Sequence, residues 1–310
     1  MYTKSRPVNL PAAVAPLLLG ICLSCGNKTP LVDPFDSARV EIQLQFPDSV
    51  PSLKASPQRI DGLAGMQAIG DVVISVIDAE TREVILKEQQ LEISFNQDFG
   101  TNVAAGSLSI PVVRDAQAFQ VIVFAADVGN LIFLIGSANL NLTPGEIRQS
   151  PLLVALGVPD VVSQQGAATA SSEFDANSPA TAGIDFDFTT SWFSNGSLDG
   201  SSSTYTWNAP GNIFMATCAI VNNAQHPNPA LQSGLGFESI LFQVFSDIDA
   251  GGTMVFEETV DYPQTIAVPF VKITPLTFGR SVRLTLQNPN NPQRGGFSEL
   301  LIAQLGTVEE

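Results

Sequence analysis

The sequence predicts an all-β protein made of two β-sandwich domains. Three observations carry this. Its 310 residues suit about two domains of ~100–200 residues each. β-Branched and aromatic runs are punctuated by 24 Gly and 21 Pro, with few of the long Lys/Glu/Ala-rich stretches a helix wants. Apolar content of 45% against 14% charged residues fills real cores and excludes a disordered chain.

Residues 1–24 read as a targeting segment. Lys4 and Arg6 give a positive start, and residues 8–23 are apolar but broken by Pro11 and Pro16. The prolines and the length argue against a permanent spanning helix, which needs ~20 apolar residues. The run L-L-L-G-I-C-L-S-C-G-N resembles a bacterial lipoprotein signal, with Ser24 before a modifiable Cys25, although Cys22 stands where that signal usually has Leu. Ordinary secretion with cleavage near Ser24 is the alternative. After cleavage only Cys25 and Cys218 remain, and the apolar surroundings of Cys218 (F-M-A-T-C-A-I) are those of a small buried hydrophobe. Lipid attachment explains Cys25; a disulfide framework does not. The expected address is extracytoplasmic, on an outer membrane or cell surface. The net charge of −16 becomes −18 once Lys4 and Arg6 leave. With no basic patch to offset it, nucleic acid is excluded as a partner and the membrane is met through the lipid alone.

Residues 25–38 form a short polar tether, and residues 39–157 read as the first sandwich. Residues 40–46 alternate without error, with Val40, Ile42, Leu44 and Phe46 inward and Glu41, Gln43 and Gln45 outward. Residues 47–70 look like loop. Strands follow at 71–78 (Val72, Ile74 and Val76 on one face), 83–87, 91–95 and 107–113. Residues 118–135 are almost continuously apolar, but Asp127-Val128-Gly129-Asn130 breaks them with turn chemistry, so they predict a buried hairpin instead of a membrane span. Thr143-Pro144-Gly145-Glu146 turns the chain into a closing strand at 151–156. Short strands at this spacing suggest an immunoglobulin-like or transthyretin-like sandwich. No catalytic or binding chemistry stands out in this half, and its expected role is that of a spacer.

Residues 158–162 read as a linker, residues 163–306 as the second domain and residues 307–310 as a tail. Strands are expected at 203–207, 213–221, 240–245, 253–259, 268–273 and 281–286. The stretch G-I-D-F-D-F-T-T-S-W-F-S at 183–194 organises this half. Asp185 and Asp187 stand two apart, so in an extended segment they point the same way, and Thr190 follows closely. Clustered small oxygen donors suit a hard cation such as calcium, yet the same residues can be a plain strand-to-strand corner.

Four motifs in order carry a resemblance over residues 163–306. They are Ala170-Ser171-Ser172, the Ile184-Asp185…Asp187…Thr190…Trp192 stretch, Gly279-Arg280-Ser281-Val282-Arg283-Leu284, and Phe297-Ser298-Glu299-Leu300. Together they resemble the discoidin or coagulation-factor type C domain, and within it the family 32 carbohydrate-binding modules. The resemblance implies a galactose-binding-like, eight-stranded jelly roll with ligand loops at one end. It implies a structural calcium held by Asp185, Asp187, Thr190 and Glu299, which would tie the first strands to the last. Phe186 stands where the family usually has Gly. If that Gly serves a positive φ, Phe resists it and the loop takes another path. Trp192 and Trp207 sit where the family keeps core aromatics. Of Arg280 and Arg283, one is expected to pair with a carboxylate.

The resemblance does not place the ligand residues. The loops at 222–228 and 288–297 have suitable chemistry, which nominates Asn223, His226, Asn228 and Arg294 for hydroxyl pairs and Phe297 or Phe193 as a stacking face. His226 is the single histidine, and its plainer reading is a loop residue between prolines. Nucleophilic catalysis would have to use it, and no nucleophile elbow, metalloprotease helix or phosphate loop is present. The expectation is a non-catalytic, lipid-anchored protein that binds a glycan or surface polymer. The alternative is an assembly or adhesion lipoprotein whose jelly roll docks a protein partner.

Overall fold

The structure, a computed structural model, describes residues 36–47, 49–51, 59–61, 71–95, 103–127, 132–195, 203–223, 226, 228–232, 237–262, 270–289 and 295–304. The targeting segment, the tether, Cys25, Arg294 and the loops at 196–202 and 290–294 lie outside them in whole or in large part. Among the described residues no helix is long and apolar enough to cross a membrane.

The alternating strand β1 (Ser37–Gln45) buries Val40, Ile42 and Leu44 and exposes Glu41 and Gln45. The short pair β2 (Ser49–Pro51) and β3 (Arg59–Asp61) breaks the expected loop. Six strands follow: β4 (Asp71–Asp78), β5 (Val84–Gln90), β6 (Ser94–Phe95), β7 (Val103–Pro111), β8 (Gln117–Asp127) and β9 (Ile132–Leu142). The half closes with β10 (Leu152–Ala155). One sheet runs β10-β1-β7-β6 and the other β5-β4-β8-β9, with a shared core between them. Gly145 takes φ 73° in the turn before β10, which its missing Cβ permits. Asp78 knots the second sheet. Its carboxylate accepts the Glu80 and Thr81 N–H groups at 2.9 Å, Gln117 Nε2 at 2.8 Å and Arg114 Nη2 at 3.2 Å. The Thr81 N–H is the main reason its carboxyl is held down at about 2.

The hairpin β8–β9 explains its own composition. Phe119, Val121 and Val123 face the first core, while Ile122 and Phe124 on the opposite face pack against the second half of the chain. A strand covered on both faces has no polar alternation to show. β4 behaves likewise, and buries Val73 and Ile77 as well as the expected Val72, Ile74 and Val76. The first sandwich is therefore packed directly on the second.

The segment expected as a linker belongs to the second sandwich. β11 (Asp160–Val161) pairs with the last strand, and Val162 enters the second core. The other strands are β12 (Ala167–Ala170), β13 (Trp192–Phe193), β14 (Ser203–Val221), β15 (Phe237–Phe245) and β16 (Met254–Asp261). They are completed by β17 (Phe270–Ile273), β18 (Thr277–Pro289), β19 (Gly296–Phe297) and β20 (Glu299–Gln304). Two expected strands, 203–207 and 213–221, are the two halves of β14, joined through a bulge between Asn208 and Ile213 at Pro210-Gly211. The first half pairs with β12 and β18 and the second mainly with β20 and β17, so a single bent strand serves both layers. Trp192, Trp207, Tyr205, Phe242 and Leu284 fill the space between. Arg280 is the arginine that pairs with a carboxylate, Asp247, at 3.3 Å. Arg283 instead donates to Gln243 Oε1 and lies over the Phe245 ring.

Candidate functional site

An aromatic box holds the aspartate turn in place. Trp192, Tyr205 and Phe297 have ring centroids 4.9–5.3 Å apart, and the Tyr205 hydroxyl donates to the Ala180 carbonyl at 2.7 Å. Gly183 passes so close that a Cβ would lie 2.8 Å from the Phe297 ring and 2.9 Å from the Tyr205 oxygen. The chain then enters the turn at Ile184.

Within the turn the side chains fold back on the main chain, as Asp and Thr do in Asx-type turns. Asp185 Oδ1 accepts the Asp187 N–H at 2.8 Å, and Thr190 Oγ1 lies 2.8 Å from both Asp185 Oδ2 and the Asp187 carbonyl oxygen. Asp187 Oδ1 accepts the Thr189 hydroxyl and N–H, which hold its carboxyl below the usual range. Phe186 takes φ 61°. The expected change of path does not occur: the left-handed conformation is adopted by Phe, a cost its surroundings must overcome.

That conformation aims the Phe186 N–H at Glu299 Oε2, 3.0 Å away. Glu299 begins β20, is 0% exposed, and among the described residues nothing hydrogen-bonds its Oε1. Burial, then the charge of Asp185, pushes its carboxyl up to about 9; Asp187 adds to this and the Phe186 N–H opposes it. A buried carboxylate with an orphaned oxygen beside a second carboxylate is poorly stable as an anion and well suited to a cation. Asp185 and Glu299 as carboxylates, the Thr190 hydroxyl and nearby main-chain oxygens form a donor set of the hard kind calcium takes. Among the described residues no three His, Cys, Asp or Glu side chains stand preassembled as a metal cluster. Asp187 belongs to the turn, but its carboxylate is turned onto Thr189.

Beside the turn lies a recess of ≈ 440 Å³. Asp175, Asn177, Thr189, Thr190, His226 and Asn228 line it with polar groups, and Phe193, Ala230 and Leu231 give it an apolar side. His226 is held tightly. Its N–H donates to the Asn223 carbonyl at 3.0 Å, its Nδ1 accepts the Asn228 N–H at 3.0 Å, and its carbonyl accepts from Gln232 at 2.6 Å. Burial lowers its pKa, so the ring is neutral at physiological pH. Asn228 Oδ1 caps the short turn that follows by accepting the Ala230 N–H at 3.0 Å.

The structure thus brings His226 and Asn228 to the recess and keeps two other nominees, Phe297 and Asn223, out of it. Phe297 is 0% exposed inside the aromatic box, and Phe193, although it lines the recess, is only 1% exposed, so neither presents an open stacking face. Asn223 is also fully buried, with Oδ1 accepting from Ser298 Oγ at 3.2 Å. It is a strut between the end of β14 and Ser298, the residue just before β20. Asp175, Asn177 and Thr189 were not nominated by the sequence. The signal for Asp175 and Asn177 was the polar run S-S-E-F-D-A-N-S at 171–178, in which Asp175 Oδ1 accepts the Asn177 N–H at 2.9 Å; Thr189 lies within the 183–194 stretch itself.

No family model matches this chain, and no curated protein matches it. Among solved structures, it is similar to the family 32 carbohydrate-binding module of a Clostridium perfringens protein in complex with galactose. The identity is 19% over 46% of this chain and 96% of that one, with a TM-score of 0.36. A coagulation-factor 5/8 type C domain from Bacteroides fragilis is 15% identical over 48% of this chain and 99% of its own, with a TM-score of 0.39. A fucose-binding module from Streptococcus pneumoniae is 13% identical over 47% and 98%, with a TM-score of 0.37.

Proposed function

We propose that the second sandwich is a non-catalytic module that binds a carbohydrate, or another hydroxyl-rich surface polymer, in the recess beside the aspartate turn. The observation that carries this is the recess itself. A carboxylate, an amide pair, two threonine hydroxyls and a fixed imidazole edge surround one apolar side within ≈ 440 Å³. Neighbouring hydroxyls of a sugar ring need paired donors and acceptors, and its C–H face needs apolar contact. Because His226 is braced by the main chain and Asn228 by its capping bond, these groups are ordered before a ligand arrives, which lowers the entropic penalty of binding. Catalysis is no part of this reading. The only histidine is engaged by the main chain, and Cys218 is buried with its thiol pushed above its usual range.

A calcium ion belongs to the same reading. Asp185, Asp187 (by its main-chain oxygen, or by its carboxylate once released from Thr189), Thr190 and Glu299 would hold it, and it would supply the positive charge that lets Glu299 ionise inside the protein. These residues close the turn that forms one wall of the recess. The first half, an immunoglobulin- or transthyretin-like sandwich, carries the module outside the cytoplasm, anchored by a lipid on Cys25.

The test is a glycan array probed in calcium, followed by the double variant Asp175→Ala/Asn177→Ala. A ligand whose affinity falls at least about tenfold in the variant, with unchanged circular dichroism, is the expected result. An empty array, or a ligand indifferent to both substitutions, would remove this reading. A second reading is favoured by one observation: Trp192, Trp207, Phe193 and Phe297 are all at most 1% exposed, so among the described residues no Trp, and neither aromatic nominated for stacking, presents an open face at the recess. Under it, the jelly roll docks a protein partner in an assembly or adhesion role. Cross-linking in intact cells from a probe placed at Asn228 would then trap a protein and be unaffected by competing sugars.

A further inference from the structure

The aspartate turn touches more than its own sandwich. Phe188, between Asp187 and Thr189, is half-buried against a cluster that both sandwiches share. Val73 and Phe124 come to it from the first sandwich, and Val221, Phe270 and Leu301 from the second. Glu299 is tied to the same cluster from behind, because it pairs with Val221 and lies two residues before Leu301 on β20. The Phe186 and Phe188 rings meet edge-on with centroids 5.7 Å apart. The turn therefore meets Glu299 through the Phe186 N–H while Phe188 packs at the domain junction.

A polar clasp spans the same junction. Glu88, at φ 49° in β5, reaches across so that Oε1 accepts from Lys272 Nζ at 2.9 Å and Thr274 Oγ1 at 2.6 Å. Lys272 Nζ in turn lies 4.6 Å from the Phe124 ring centroid.

We infer that the aspartate turn is an interdomain latch: a divalent cation drawn in by Asp185 and Glu299 fixes Phe188 against the shared cluster and stiffens the docking of the two sandwiches. The inference rests on the cation reading of the turn, for which the buried, unpartnered Glu299 oxygen is the independent evidence. By linkage, the docked arrangement favours the cation by the same factor as the cation favours docking. The recess, whose wall includes Thr189 and Thr190, is then held at a fixed angle to the rest of the chain.

The experiment measures calcium binding calorimetrically and hydrogen exchange with and without calcium, on the full chain and on Phe188→Ala and Phe188→Leu. Calcium is expected to slow exchange in the turn, in β20 and also across the junction in β4 and β8, there by on the order of tenfold. Phe188→Ala should still bind calcium but lose the protection in β4 and β8, and Phe188→Leu should restore most of it. Calcium that binds and protects only the turn and β20 overturns the latch and leaves the cation reading standing. Absence of any calcium heat overturns both, and calorimetry tells the two failures apart.

Discussion

Glu299→Gln isolates the charge at the heart of the turn. The carboxyl titrates at 4.5 when exposed and at about 9 when folded, because burial and Asp185 disfavour its anion. A raised folded pKa contributes stability that is full below 4.5, declines as the pH rises and is gone once the pH passes about 9. Each unit is worth about 1.36 kcal/mol, so at about pH 7.5 the cation-free protein has lost on the order of 4 kcal/mol relative to acid conditions. Gln keeps the shape, can still accept the Phe186 N–H, and stays neutral in the folded protein without having to take up a proton. In chelator near pH 7.5 the variant should therefore be more stable than the wild type by up to that amount. In saturating calcium the order should reverse, because only the wild type gains from binding. The assay is denaturant unfolding between pH 5 and 9, with chelator and with calcium. A wild-type protein whose cation-free stability runs parallel to that of the variant across this range would refute the argument.

Other substitutions test the frame. Gly296→Ala would place a Cβ 1.8 Å from the Trp192 carbonyl oxygen, so it should separate β13 from β19 and cost about 3 kcal/mol or more, seen as a large drop in melting temperature. Asp78→Asn removes a carboxylate held down at about 2 that joins the 80–81 turn, Gln117 and Arg114; a loss of about 2 kcal/mol near neutral pH is expected in denaturant titration. The contribution of Asp78 is present above its ordinary value of 3.8 and is lost as the pH falls through about 2, so the wild type and variant should converge in strong acid. Cys218 is 1% exposed with its thiol pushed up by burial, so a thiol reagent should leave it unmodified until the chain unfolds.

The strands were legible wherever one face meets water. Residues 40–46 display their alternation in full, and the strand that carries Val282, Leu284 and Leu286 does so nearly as well. Alternation fails in β4 and β8 because the second sandwich covers their outer faces, and no local pattern announces a domain partner. The same cause hid β11: two residues between Pro159 and Val162 carry no strand signal, and it is β20 that recruits them. At the site, the sequence nominated Asp185, Thr190 and Glu299, which the structure gathers at one turn, and His226 and Asn228, which line the recess. It misassigned Phe297 and Asn223 because a polar loop and an aromatic look alike whether they face solvent or brace a core. Asp175 and Asn177 went unseen because their stretch reads as an ordinary Asx turn until the 226–232 segment folds against it. Phe186 shows a different limit. The family resemblance raised the question of a left-handed residue at this position, and the structure shows Phe adopting that conformation while its N–H meets Glu299.

The central claim is that the recess between the aspartate turn and the 226–232 segment holds a hydroxyl-rich ligand. The most direct measurement is amide chemical-shift mapping of the isotope-labelled protein in calcium, titrated with the best ligand from a glycan array. The account predicts saturable shifts confined to Asn177, Thr189, Thr190, His226 and Asn228 and their neighbours. Saturable shifts elsewhere, on the outer face of the first sandwich for instance, with these amides unmoved, would contradict it.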